Sequence, residues 1–147
     1  GVAPVTDPTW RSEGGSCHLA YAPGLLPARS WEALLGGLSS HFGEDASVDA
    51  ATLATLSAYA RGANAEAAAS AWRLSASLVA ATVGTTPVRI STIPALQSEH
   101  LEEIPASWVI DNPEVKSWAA CARCHTGAAE GRFPESEIRI PGHAWSD

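Results

Sequence analysis

The sequence predicts an all-α fold in which short helices are joined by long loops. Apolar side chains over residues 31–42 recur at i, i+3, i+4 and i+7, the spacing of one helix face. Helical patterns follow over residues 49–62, which start with an aspartate cap, and over the alanine-rich residues 65–81. Residues 87–94 are the one β-branched run, and they are too short to imply a sheet.

The first half of the chain starts with a segment rich in proline and glycine, residues 1–15, which we expect to be irregular. Ser30 is the expected cap of the first helix, whose apolar stripe ends at Phe42. His41 lies at the edge of that stripe. Residues 82–86 read as a linker, and they divide the chain into residues 1–82 and residues 83–147.

The second half starts with the extended residues 87–94. Pro94 suits the first turn of a short helix that runs to about Glu103. Asn112 is the expected cap of a final helix leading into Cys121, and residues 133–147 form an irregular tail.

The most informative motif is Cys121-Ala122-Arg123-Cys124-His125, which has the C-x-x-C-H pattern of c-type haem attachment. Two thiols on one helical turn can each form a thioether with a haem vinyl group. The histidine that follows them can then bind the iron as proximal ligand.

Two other interpretations of this motif are weaker. A zinc site usually needs a second C-x-x-C, and the chain has only three cysteines. A thioredoxin-like redox pair would lie in a βαβ pattern, which is not found around Cys121 and Cys124.

A reduced form of the motif occurs earlier, at Gly14-Gly15-Ser16-Cys17-His18. Gly14 stands where the first cysteine would be. An isolated Cys-His pair is ordinarily a buried cysteine beside a surface histidine. The second half of the motif is intact, however, which favours a haem held by one thioether through Cys17.

Three more histidines complete the set. His41 follows Leu38 at the edge of an apolar face, and His100 lies four residues after Leu96 on one helix face. A lone histidine on such a face is more often a core residue than a ligand. Beside haem attachment motifs, both become candidates for the second axial ligand. His143, in the tail, is expected to be an exposed histidine without a ligand role.

Composition restricts the function further. The chain has no methionine, so the His/Met ligation that raises the potential of many cytochromes is excluded, leaving His/His or an open site. The net charge of −7 and the lack of a basic patch argue against a nucleic-acid partner and favour a basic protein partner. No stretch of 18 apolar residues is present to span a membrane.

The sequence begins at Gly1 without an initiator methionine, so we expect a processed or trimmed terminus. Covalent haem attachment takes place outside the cytoplasm. These two observations predict an exported protein of the bacterial periplasm.

Several longer runs make a resemblance specific. The chain resembles the dihaem cytochrome c family of proteobacteria in SCHLAY (residues 16–21), LLPARSW (25–31), HFGE (41–44), EH (99–100), CARCH (121–125) and AEG (129–131). The resemblance covers most of the chain. It departs from the family pattern at Gly14, where family members carry cysteine.

The resemblance implies a small periplasmic electron carrier with two c-type haems, each with two axial histidines. His18 and His125 would be proximal ligands, and His41 and His100 the second ligands. A class-I-cytochrome-like N-terminal part would hold haem 1, and a smaller C-terminal part would hold haem 2. Partners would be other redox proteins, such as an oxygen-binding monohaem cytochrome or a membrane cytochrome.

The main interpretation is therefore an electron carrier that is not an enzyme. Two alternatives to it stay open. In one, haem 1 keeps an open or labile site and serves a gas sensor or a redox enzyme. In the other, only haem 2 is functional and the first part is a docking lobe. The pairing of His18 with His41, and of His125 with His100, is a hypothesis because each pair lies on one side of the linker.

Overall fold

The computed structural model describes residues 1–146 and has a helical architecture, which confirms the predicted all-α class. The seven α-helices of this region are α1 (Pro8–Gly14), α2 (Ala28–Gly36), α3 (Ala50–Ala63), α4 (Ala65–Ala68), α5 (Arg73–Ala81), α6 (Pro94–Glu103) and α7 (Ser107–Ile110). Short 3₁₀ turns and long loops connect them. No helix within residues 1–146 combines the length and the apolar character needed to cross a bilayer.

Two helices occur where the sequence predicted them. Asp49 caps α3, and its carboxylate accepts a hydrogen bond of 2.7 Å from the backbone N–H of Thr52. Pro94 is the first residue of α6, which ends at Glu103. Proline is tolerated there because a first-turn residue has no partner for its backbone N–H inside the helix.

The helix α2 differs from its prediction at both ends. It begins at Ala28 directly after Pro27, so Ser30 is a fully buried helical residue and not the cap. It ends at Gly36, where two successive glycines favour termination. Phe42 therefore lies outside the helix and is 44% exposed.

Two other predicted helices differ from the structure, the first being divided in two and the second absent. Residues 65–81 form α4 and α5 with a turn between them, because Asn64 caps a first short helix and the chain is extended at Trp72 before α5. Residues 112–120 form turns. The Asn112 side chain donates to the carbonyl of Pro141 and accepts from Glu114 N–H, and Lys116 has a φ of +70°, which no α-helix contains.

The remaining loop predictions were partly correct. Residues 90–92 form a 3₁₀ turn inside the segment expected to be extended. Residues 133–146 are irregular apart from a 3₁₀ turn at Glu135–Glu137, and Asp147 lies outside the described residues. The helix α1 was missed in the lead-in, although Asp7 followed by Pro8 is a helix-start signal.

Tryptophans organise the main core. The rings of Trp10 and Trp31 meet edge to face with centroids 5.0 Å apart. The indole N–H of Trp10 donates to the carbonyl of Tyr21 at 2.9 Å, and that of Trp31 donates to Pro23 at 2.8 Å. These bonds fix the loop between α1 and α2, which holds the second half of the reduced motif.

Contacts also join the two parts of the chain. Val2 N–H donates to the carbonyl of Gly131 at 2.8 Å, and the Tyr21 hydroxyl donates to the carbonyl of Ala119 at 2.5 Å. Ile93, from the second part, is buried in the same cluster as the side chains of α2 and α3. The two parts therefore share one apolar core.

Truncating the buried side chain of Leu78 in α5 tests this core. Leu78 is 2% exposed, so we expect Leu78→Ala to lower the free energy of unfolding by about 2–5 kcal/mol, through lost apolar contact and the cavity left behind. Guanidinium unfolding of the holoprotein, followed by far-UV circular dichroism, measures this loss.

Val83→Ala is the matched control, because Val83 is 76% exposed. Its free energy of unfolding should stay within about 0.5 kcal/mol of the parent. Equal losses in the two variants would contradict the described core.

Candidate functional site

The four predicted ligand histidines lie in two pairs. In the first pair, the ring centroids of His18 and His41 are 6.4 Å apart, with an angle of 30° between the ring planes. His18 follows Cys17 in the loop after α1, and His41 lies beyond the end of α2. The loop and the segment after α2 thus bring two imidazoles of the first part close together.

His41 is held by a tight turn and not by a helix face, which corrects its predicted placement. Its N–H donates to the carbonyl of Glu44 at 2.7 Å, and Glu44 N–H donates back to His41 at 3.0 Å. The two residues between them, Phe42 and Gly43, both have positive φ. This is the conformation of a two-residue hairpin turn.

The second pair is formed within the second part of the chain. His100 on α6 and His125 have ring centroids 6.0 Å apart and ring planes at 80°. Cys121 and Arg123 bound a 3₁₀ turn, and His125 N–H donates to the Cys121 carbonyl at 2.8 Å. The C-x-x-C-H residues therefore lie on one turn, with the histidine directed towards α6.

The two separations fit an iron held between two imidazoles. With a metal–imidazole bond of about 2.0 Å and a coordinating nitrogen about 1.1 Å from the ring centre, two trans imidazoles on one metal have centroids about 6 Å apart. The observed 6.4 Å and 6.0 Å match this value in both pairs. The residues present thus fit the group that the motif implies.

Hydrogen bonds leave the correct ring nitrogen available in two of the histidines. Nδ1 of His18 lies 2.7 Å from the carbonyl of Leu19, and Nδ1 of His100 lies 2.6 Å from the carbonyl of Leu96. A carbonyl accepts only from a protonated nitrogen, so the Nε2 lone pair is free to bind a metal. Nδ1 of His125 is buried and makes no hydrogen bond within residues 1–146.

At His125 and His41 the environment favours the neutral imidazole, which is the metal-binding form. Burial lowers the pKa of His125, and the nearby His100 lowers it further. Burial also lowers the pKa of His41, with smaller contributions from His18 and the Arg89 guanidinium.

All three cysteines are free thiols beside these pairs. Burial raises the pKa of the Cys121 thiol and that of the Cys124 thiol, so both are protonated and uncharged near neutral pH. Cys17 is exposed beside His18. The first site therefore offers one thiol for covalent attachment and the second site offers two.

Gly14 is not required by the backbone of the first motif. A Cβ built there would meet Ala20 at 3.5 Å, an ordinary van der Waals contact. At the next residue, Gly15, a Cβ would lie 2.6 Å from the carbonyl oxygen of Arg11. Position 14 therefore has room for the side chain that the full motif would place there.

Aromatic rings surround the paired imidazoles. Tyr21 lies 5.0 Å from the His18 ring, and Trp118 and Phe133 meet His100 and His125 at 5.9 and 5.4 Å. Burial, reinforced by the thiol of Cys121, raises the pKa of Tyr21 to about 12. His18 is nevertheless exposed, whereas His41, His100 and His125 are half-buried.

Sequence reasoning missed three residues at these sites: Tyr21, Phe42 and Arg89. Tyr21 touches His18 and also hydrogen-bonds to Ala119, two residues before the second motif. The Arg89 guanidinium lies 4.1 Å from the centre of the Phe42 ring. The contacts of Tyr21 with Ala119 and of Arg89 with Phe42 have no sequence signal, because each joins residues far apart in the chain.

His143 stands apart from both pairs. It is exposed, as predicted, and stacks on Trp108 with centroids 4.2 Å apart. Within residues 1–146, no group of three His, Cys, Asp or Glu side chains is placed to hold a metal ion. Each pair instead offers two nitrogen ligands, the number that a haem iron takes in addition to its ring.

Comparisons with known proteins agree with this geometry. The family model described as dihaem cytochrome c matches residues 10–133. A dihaem cytochrome c from Rhodobacter sphaeroides is 40% identical, with a TM-score of 0.75, and the match covers 90% of this chain and 100% of that one. None of the curated proteins matches.

Two further structures are similar. One is a c-type dihaem cytochrome from Shewanella baltica OS155, 32% identical with a TM-score of 0.73, over 92% of this chain and 93% of that one. The other, also from Rhodobacter sphaeroides, is 36% identical with a TM-score of 0.68, over 88% and 99% of the two chains. These matches agree with the paired histidines that lie beside the full and the reduced attachment motif. The chain belongs to the dihaem cytochrome c family and is an electron-transfer protein with two c-type haems.

Proposed function

We propose that this protein is a low-potential electron carrier of the bacterial periplasm in which each haem iron has two histidine ligands. Residues 1–82 hold haem 1 and residues 83–147 hold haem 2. His18 and His41 bind one iron, and His125 and His100 bind the other. The protein has no enzymatic activity of its own.

The observation that carries the proposal is the centroid separation of 6.4 and 6.0 Å in the two histidine pairs. A pair this close leaves no space for a substrate between the imidazoles. Haem iron would supply a one-electron couple when bound, and the two histidines of each pair would hold it. Such a site is suited to moving electrons.

The low potential follows from the ligand set. The chain contains no methionine, so neither iron can take the thioether ligand that raises the potential of His/Met cytochromes. Imidazole is the stronger donor and stabilises the oxidised iron. The net charge of −7 acts in the same direction, since negative charge favours the more positive iron.

Attachment differs between the two haems in this proposal. Cys121 and Cys124 form two thioethers with haem 2, and Cys17 forms one with haem 1. Partners are other redox proteins, such as an oxygen-binding monohaem cytochrome or a membrane cytochrome. The negative net charge favours a partner with a basic docking surface.

A second candidate function is a gas sensor or redox enzyme built on a labile haem 1. The observation in its favour is that His41 lies in a turn beside an exposed Phe42, while the haem has only one thiol for attachment. Carbon monoxide binding to the wild-type protein distinguishes this candidate from the carrier.

The pyridine haemochrome spectrum tests attachment. We expect two haems per chain and an α-band red-shifted from that of a haem with two thioethers, because one vinyl group stays unsaturated. Gly14→Cys should move the band to the position of a pure two-thioether spectrum, since position 14 has space for a side chain. One haem per chain with an unshifted band would contradict a haem at the first site.

Carbon monoxide tests the ligand assignment. When CO is added, the Soret spectrum of the reduced wild-type protein should stay unchanged at first and change only as slowly as a histidine leaves its iron. His41→Ala and His100→Ala should each bind about one CO per chain at once, because each substitution opens one iron. His143→Ala is the matched control, since His143 pairs with neither site. If a His41 or His100 variant keeps both haems and still does not bind CO, the assignment of that histidine as an iron ligand is wrong.

Electron paramagnetic resonance tests the two ring orientations. The relative angle of two axial imidazoles sets the d-orbital splitting of low-spin ferric iron, and the pairs differ at 30° and 80°. We expect two low-spin signals in equal amounts, the near-perpendicular pair giving the one with the larger maximum g value. A single signal from both irons would contradict the difference in angle.

A further inference from the structure

The turn that presents His41 is conformationally unusual. Phe42 has a φ of +53° and Gly43 has a φ of +87°. Turns of this type favour asparagine or aspartate followed by glycine, because a side chain with a Cβ is strained at positive φ. A phenylalanine in this position needs a contact that holds it there.

Two flat groups hold the Phe42 ring. The His41 imidazole lies on one side, with centroids 4.7 Å apart, and the Arg89 guanidinium lies 4.1 Å from the ring centre. A guanidinium over an aromatic face is attracted by the negative charge of that face. The contact therefore holds a partly exposed ring in place. It also offsets the strain of the positive φ at Phe42.

Arg89 comes from the second part of the chain, just before the 3₁₀ turn at Ile90–Thr92 that leads into α6. Of the two salt bridges formed within residues 1–146, neither includes Arg89. Its charge thus lies over the Phe42 ring, which in turn contacts the His41 imidazole, and it is not neutralised by a paired carboxylate.

We propose that Arg89 is a positioning residue for haem 1. Its contact with Phe42 keeps the 41–44 turn in the conformation that presents His41 to the iron, and its charge raises the potential of haem 1. The inference rests on the proposed function, in which His41 is the second ligand of that haem. Through this contact, the part of the chain that holds haem 2 secures the ligand of haem 1.

The sign of the charge effect follows from electrostatics. Oxidation adds one positive charge at the iron, and a nearby guanidinium repels that charge. Removing the Arg89 charge should therefore stabilise ferric haem 1 and lower its midpoint potential. Loss of the guanidinium contact should also allow His41 to leave the iron more often.

The test compares Arg89→Gln, Arg89→Lys and Arg73→Gln in the holoprotein. Arg73→Gln is the matched control, since it removes the same charge from the exposed start of α5. Stepwise spectroelectrochemical titration measures both midpoint potentials. Rapid mixing of the reduced protein with CO, followed over long times, measures the rate limited by His41 dissociation.

We expect Arg89→Gln to lower the potential of haem 1 alone and to raise the CO rate about two- to fivefold, the equivalent of one exposed cation–π contact. Arg89→Lys should keep the wild-type potential, because the charge remains, and should raise the CO rate less, because the planar contact is lost. Arg73→Gln should change neither measurement at haem 1.

Equal potential shifts in Arg73→Gln and Arg89→Gln would overturn the local charge effect. An unchanged CO rate in Arg89→Gln, with a CO-resistant wild type, would overturn the positioning role while leaving the proposed function intact. A wild type that binds CO at haem 1 at once would instead contradict the proposed function. If Arg89→Gln loses haem 1, the CO-binding rate of Arg89→Lys tests the positioning role in its place. A rate equal to that of the wild type would then overturn the role.

Discussion

The distance between two imidazoles is the constraint on which the rest of the structure depends. In the proposed function, each pair has to keep its centroids about 6 Å apart so that one iron can bind both rings. The partners come from separate segments, so the surrounding helices and turns have to fix both backbones. In the first pair this is done by a loop bound to Trp10 and Trp31 and by a hairpin turn. In the second it is done by α6 and a 3₁₀ turn.

The fold class and much of the site could be predicted from sequence because local signals carry them. Asp49 and Pro94 start their helices through interactions within one turn. The C-x-x-C-H motif is likewise complete within five consecutive residues. His100 was predicted on a helix face and lies on α6. These are short-range effects, which a single sequence records directly.

The errors occurred where tertiary contacts decide the local conformation. Asn112 has a good helix-capping sequence after it, but its side chain bonds to Pro141 across the fold, and the following residues form turns. His41 was placed on a helix edge because the apolar spacing continues to Phe42. Two successive glycines end the helix at Gly36, and His41 lies in a later turn whose Phe42 contacts the distant Arg89. No local pattern encodes such partners.

The bond from Val2 N–H to the carbonyl of Gly131 has a consequence for the order of folding. Helical proteins mostly fold quickly through contacts between near neighbours in the chain. Val2 is fully buried, and its partner lies near the other end of the chain. Almost the whole chain must be closed into a loop before this hydrogen bond can form. The bond is therefore expected to form late, and the Val2 N–H becomes protected only when the C-terminal part is already in place.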